Sequence, residues 1–276
     1  MIGRVFTLLS LLACACPRDA AVHREPEPTA QRGILLADLT WQQAEAVLTR
    51  ETIVVFALGA AAKEHGPHLR LDNDRTLAAY FEAQLLQRAE VVVAPMLTYH
   101  HYPAFVQYPG SISLRPETAR DLVVDACRSL ARFGPHRFYV ANTGISTLGP
   151  LRDAAAVLAA DGITLHFTDL QAALAPTEAA IAEQPRGSHA DEMETSMILA
   201  IAPGRVDMAK AVRDVEPKHG RGFDREPGGA GTWSRSGVWG DATLADVDKG
   251  RVLVDALLAA MLADLERLRS LPTDPR

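Results

Sequence analysis

The chain has 276 residues, enough for one large α/β domain or two small ones. Apolar residues make up 48% and charged residues 22%, which is ordinary for a globular protein with a sizeable core. The formal net charge is -6 and Lys and Arg are scattered, so there is no basic footprint for nucleic acid and no cationic run suited to an anionic membrane.

Residues 1–15 read as a targeting segment. Arg4 supplies a positive start, and Val5 to Ala15 form an apolar stretch too short to span a bilayer, which needs about 20 residues. The run Leu11-Leu12-Ala13-Cys14-Ala15-Cys16 leaves two alternatives. Cys14 is lipidated, as in a bacterial lipobox, or the segment is cleaved near Ala13 or Ala15. Either way the expected location is outside the cytoplasm, in a periplasm or anchored to a membrane by lipid. Residues 16–33 are polar, with prolines and charges, and read as a disordered tether. Cys127 falls within a helical pattern and reads as a buried, unpaired thiol, so the fold rests on its core and not on disulfides.

From residue 34 to about 270 the pattern alternates as a single α/β domain. Thr40 caps a helix over Trp41 to Leu48, and Thr52 to Leu58 is a buried strand ended by Gly59. Arg75 to Arg88 has helical spacing, and Val91 to Met96 is a second strand. An aromatic, histidine-rich loop follows from Tyr99 to Gly110, then a short strand over Ser111 to Leu114. Pro116 opens a helix that runs to Arg132, and Phe138 to Ala141 is another strand. After the polar turn 142–147 come a helix over Pro150 to Ala160, a strand over Ile163 to Phe167 and helices over Glu178 to Glu183 and Met193 to Ile201. Lys218 to Ser236 is rich in Gly and charge and reads as a mobile surface loop, and Leu244 to Leu268 is a final helix. Continuously apolar strands separated by helices predict a three-layer α/β/α sandwich with a mostly parallel central sheet. Ligands of such sheets bind beyond the carboxyl ends of the strands, so the polar clusters after Leu58 and Ala141 and around His189 are expected to share one rim.

Two clusters carry chemistry. Lys63 to Asp74 packs two imidazoles, three carboxylates and a lysine into twelve positions around the Gly66-Pro67 turn. Imidazole and carboxylate are the usual ligands of zinc and manganese. The competing reading is a charged turn whose acids cap the following helix, which suits Asn73 and Asp74. In the second cluster, Gly187 to Ser196, helix-terminal electrostatics explain Asp191, but less so His189 and Glu194.

His65-Gly66-Pro67-His68-Leu69 followed by Leu71 and Asp74, then His189-Ala190 with Glu192-Met193-Glu194-Thr195-Ser196, resembles the creatininase family of metal-dependent amidohydrolases. Tyr108 to Leu114, Gly237 to Asp241 and Lys249-Gly250 extend the resemblance in the family's order over nearly the whole chain. It implies the three-layer fold, hexamers in many members, and a two-metal site of zinc or manganese. It also implies hydrolysis of a C–N bond in a small, cyclic or linear amide, by water made nucleophilic at the metals. By position His65, Asp74 and Glu194 are metal ligands, with Asp74 bridging two ions. His189 lies beside the substrate and shuttles the proton, or Glu192 does so.

Two positions depart from the family pattern. Lys63 stands where a glutamate ligand is usual, with Glu64 one residue later as its replacement or Lys63 as a cation paired with a carboxylate. Gly144 stands where a histidine ligand is usual and has no side chain to coordinate. His100 or His101 supplies the missing imidazole, or both line a pocket beside Tyr99 and Tyr102 and only one zinc or manganese ion binds, held by His65, Asp74 and Glu194 with an open position for water, so that one or two ions per chain are expected. A different class of function follows if the lost ligands abolish catalysis: an exported binding or scaffold protein on a hydrolase fold.

Overall fold

The computed structural model describes residues 31–272 apart from Lys218 and Arg221. The targeting segment and most of the tether lie outside the described residues. The last tether residues are seated: the Arg32 and Gly33 amides both donate to the carbonyl of Leu86.

A five-stranded, all-parallel sheet forms the middle layer, in the order β1-β3-β2-β4-β5. The strands are β1 (Ile34–Leu35), β2 (Ile53–Leu58), β3 (Val92–Leu97), β4 (Arg137–Asn142) and β5 (Thr164–Phe167). Central β2 and β4 are buried along their full length, which is why they read as unbroken apolar runs. Alternate side chains of β2 serve opposite layers. Ile53 and Val55 pack with α2 (Asn73–Arg88), α5 (Leu170–Ile181), α6 (Glu192–Ile201) and α7 (Val247–Ser270). Val54, Phe56 and Leu58 pack with α1 (Trp41–Val47), α3 (Pro116–Ala131) and α4 (Leu148–Ala160). The expected three-layer fold is therefore present, and Cys127 is buried and free in the second layer.

Three expectations change. Ser111 to Leu114 does not form a strand, because its hydroxyls are used on neighbouring loops: Ser111 Oγ accepts from the Glu64 amide and Ser113 Oγ from the Tyr102 amide. Helix α5 begins eight residues before the expected Glu178, capped by Asp169, which accepts from the Ala172 amide. Within Lys218 to Ser236, β6 (Phe223–Asp224) pairs with β7 (Thr232–Trp233), and Asp224 accepts from Gln107 and the Gly231 amide, so that part of the loop is tied down.

Candidate metal centre

The segment after β2 leaves the carboxyl end of the sheet and returns into α2, whose first turn carries Asp74. Gly59 permits the return: a Cβ there would lie 2.3 Å from the Asp74 carbonyl oxygen. Asp72 is the N-cap by backbone position, but its carboxylate pairs with Arg75 and Arg205 instead of capping the helix. Asp74 turns inward.

Hydrogen bonds fix the state of both central imidazoles. His65 Nδ1 lies 2.8 Å from the Lys63 carbonyl, which accepts only, so Nδ1 carries the proton. In the neutral ring, Nε2 is then a lone pair aimed at two carboxylates, 2.7 Å from Asp74 Oδ1 and 3.2 Å from Glu194 Oε1. His189 Nε2 lies 3.0 Å from both the carbonyl and the Oε2 of Glu64, again acceptors, so it donates there. Its Nδ1 lone pair faces Glu194 Oε2 at 3.6 Å. Two imidazole lone pairs and three carboxylates converge here against a single ammonium, that of Lys63, 2.8 Å from Asp74 Oδ2, and this excess of negative charge is the pattern expected of a metal site.

The proton equilibria express the same deficit. Burial works to lower the pKa of His65, but Asp74 and then Glu194 outweigh it against the opposing Lys63 charge, and the imidazole is raised to about 9. A divalent ion binding there has to displace that proton. Burial works to raise Asp74 and Glu194, but the cations facing them, Lys63 foremost for Asp74 and His65 for Glu194, hold both low. Lys63 stays an ammonium because Asp74, Glu194 and Glu64 outweigh its burial.

His65, His189 and Glu194 form the one group of three metal-capable donors among the described residues, with donor atoms all within 4.8 Å of one another. Asp74 joins it through His65. The expected ligand Glu64 is not brought into that group. Its carboxylate accepts from the Gly66 amide and holds His189, and Gly237 gives it room, since a Cβ there would lie 1.9 Å from Glu64 Oε1. Glu64 therefore orients an imidazole.

Glu192 is also placed elsewhere. Its buried carboxylate accepts from the Glu183 and Gln184 amides and pairs with Lys249, tying the start of α6 to the segment that follows α5 and to α7. That explains the Lys249 of the C-terminal motif and removes the reason for Glu192 as a proton shuttle. The expected result for Glu192→Gln is unchanged turnover with a loss of about 2 kcal/mol, less than for a fully orphaned buried ion because Glu183 still pairs with Lys249. Thermal melting and steady-state kinetics check it, and a large fall in kcat would return Glu192 to the mechanism.

His100 and His101 stay outside the donor group. His101 Nδ1 donates to the Leu114 carbonyl, and His100 is buried near Tyr102 with neither ring nitrogen partnered, its pKa lowered to about 4 by burial and then by His101. The turn at Gly144 is closed by Asn142 and Thr147 and offers no imidazole.

Several roles in the site were not legible in the motifs. Phe105 packs 4.3 Å from the His189 ring centroid and stacks on Phe223, roofing the centre. Ala190 has a φ of 47°, unusual for a side-chain-bearing residue, and this aims its amide at Glu194 Oε2, 2.7 Å away. Asn73 donates to Glu194 Oε1, and His68 Nε2 meets Thr195 Oγ1 at 2.8 Å, joining the loop to α6. Trp239 exchanges main-chain hydrogen bonds with His189, so the Gly237 to Asp241 motif braces that imidazole from behind.

The fold and the donor set define an α/β protein with a buried divalent-cation centre at the carboxyl end of a parallel sheet. A model of the creatininase family, described as creatinine amidohydrolase, matches residues 37–265, and the chain belongs to that family of hydrolases. A mycofactocin precursor peptide peptidase from Mycobacterium tuberculosis is 30% identical over 235 residues, covering 78% of this chain and 83% of that protein. A creatinine amidohydrolase from Pseudomonas putida is 24% identical over 268 residues, covering 88% and 99%. Among solved structures, a creatininase superposes with a TM-score of 0.71 at 22% identity over 87% of this chain and 99% of its own. A mutant creatininase of zinc–zinc type gives 0.69 at 23% over 87% and 99%, and a manganese creatininase 0.68 at 21% over 87% and 100%.

Proposed function

We propose that this chain is a metal-dependent amidohydrolase that cleaves a C–N bond of a small, cyclic amide. The observation that carries the reading is the convergence of Asp74 and Glu194 on the Nε2 of His65. The donors suit zinc or manganese, with His65, Asp74 and Glu194 as the holding residues and His189 beside them. When bound, such an ion polarises a carbonyl and lowers the pKa of water.

The chain's own residues supply the rest. The Lys63 carbonyl fixes the His65 tautomer. Glu64 holds His189 by its Nε2–H, leaving Nδ1 to take the proton from the nucleophile and return it to the leaving nitrogen. Phe105 and Phe223 exclude bulk water. The enclosure favours a small substrate: Glu194, with 17% of its side chain exposed, is the most open donor. A groove of about 660 Å³ beside Ala61 and Leu71 is lined by none of the donors. A second reading, a peptide substrate, draws on the likeness to peptidase relatives. Export, with lipid at Cys14 or by cleavage near Ala13 or Ala15, and assembly into a homo-oligomer, a hexamer by resemblance, belong to the same proposal.

The test is hydrolysis of creatinine, other cyclic amides and short peptides by zinc- and manganese-loaded protein, before and after chelation. Chelator-sensitive opening of a cyclic amide is the expected result. Peptide cleavage alone would transfer the substrate to the second reading. Inertness toward the whole panel with the ion bound would sink the enzymatic reading and favour a binding protein.

A further inference from the structure

We infer that Lys63 is a built-in cation that occupies the place of a second metal and limits this centre to one divalent ion per chain. The inference rests on the metal reading above and deepens it.

The Asp74 carboxylate is divided between two positive partners. Oδ1 faces His65 Nε2 at 2.7 Å, on the side of the donor group. Oδ2 faces the Lys63 ammonium at 2.8 Å. A carboxylate bridging two ions gives one oxygen to each, and here the second oxygen is already matched by a covalently attached charge.

The surroundings of the ammonium reinforce this. The Lys63 side chain is 8% exposed, and its Nζ sits 4.8 Å from the Phe105 ring centroid and 5.8 Å from that of Tyr102. Aromatic faces attract an ammonium but give a hard divalent ion no ligand oxygen or nitrogen. The nearby turn adds no donor side chain at Gly144, whose Cβ position is crowded by Thr147.

Charge arithmetic agrees. Glu64, Asp74 and Glu194 bring three negative charges to a buried site, and Lys63 cancels one. The remainder matches one divalent ion and no more, with both imidazoles neutral. A second dication would sit next to an ammonium in a poorly screened interior, where like charges a few ångströms apart repel strongly. The zinc–zinc form of a structural relative shows that this fold can hold a pair, so the limit is placed on this chain's own lysine.

The deciding experiment is a manganese titration of the metal-free full chain, followed by native mass spectrometry and electron paramagnetic resonance. Wild type is expected to saturate at one ion per chain, with the six-line spectrum of an isolated ion. Lys63→Arg, which keeps a cation, is expected to do the same. Lys63→Glu, which exchanges the cation for a ligand, is expected to take up a second, weaker ion and to show exchange coupling. Two ions in wild type would overturn the inference while leaving the metal reading intact. A folded Lys63→Glu that still stops at one ion would show that the lysine is not what excludes the second. No ion in wild type would defeat the metal reading and this inference with it.

Discussion

Glu194→Ala is expected to lose its divalent ion and to lower kcat/KM by about 10⁴-fold, the range seen when one member of a catalytic unit is removed. The expectation follows from how much converges on that side chain. Its oxygens face both central imidazoles, and the Ala190 amide and Asn73 donate to it. Removing it leaves Asp74 as the remaining anionic donor beside His65, because Glu64 is committed to His189 and Gly66. Glu194→Gln separates charge from shape, since it still accepts from the Ala190 amide but presents no negative charge to the ion. It should keep the fold and lose the metal. Elemental analysis reads metal content, circular dichroism reads the fold, and kinetics on the substrate found for wild type reads turnover. Full metal occupancy and undiminished turnover in both variants would remove Glu194 from the centre.

This convergence was only partly visible in the sequence. His65, Asp74, His189 and Glu194 were singled out through the resemblance of their two motifs to the creatininase family, since the crowding of imidazoles and carboxylates by itself also suits a charged turn whose acids cap a helix. What the linear pattern could not supply was direction. Glu64 and Glu192 sit beside ligand positions in the chain, yet one turns to hold His189 and the other to pair with Lys249. Main-chain geometry contributes to that choice: the turn at Gly66 was legible from its Gly-Pro pair, but the positive φ at Ala190, a residue that carries a side chain, was not.

The fold was more legible, for a physical reason. Strands covered on both faces must be apolar throughout, so β2, β3 and β4 stand out as runs. Where burial is incomplete the signal fails. The two-residue β1 carries no periodicity, and the Ser-Ile-Ser-Leu alternation at 111–114 imitates a strand while its hydroxyls serve as loop braces. Helix α5 hides behind Pro176, which lies inside it and would ordinarily mark a boundary. Strand order was beyond reach because the same β–α–β sequence of elements allows either direction of travel across the sheet.

The other large effect is expected at a residue with no side chain. Gly59→Val should destabilise the chain by about 3 kcal/mol or more, at the upper end of overpacking penalties, and weaken metal binding with it. A Cβ at Gly59 would lie 2.3 Å from the Asp74 carbonyl oxygen, 2.7 Å from its carbonyl carbon and 2.7 Å from Ala78 Cβ. Two of these are main-chain atoms of α2, so no rotamer change relieves the contact. The first turn of the helix has to move away from the end of β2. That movement carries Asp74 away from His65 and Lys63, so folding and the metal centre are strained by one displacement. The expected pattern is a lower melting temperature together with a weaker manganese affinity. Gly59→Ala should show the same pair of effects at smaller size, because it carries the clashing Cβ without the added methyl groups. A loss of stability with manganese affinity unchanged in both variants would show that α2 can shift without carrying its aspartate, and that the close approach at Gly59 serves packing alone.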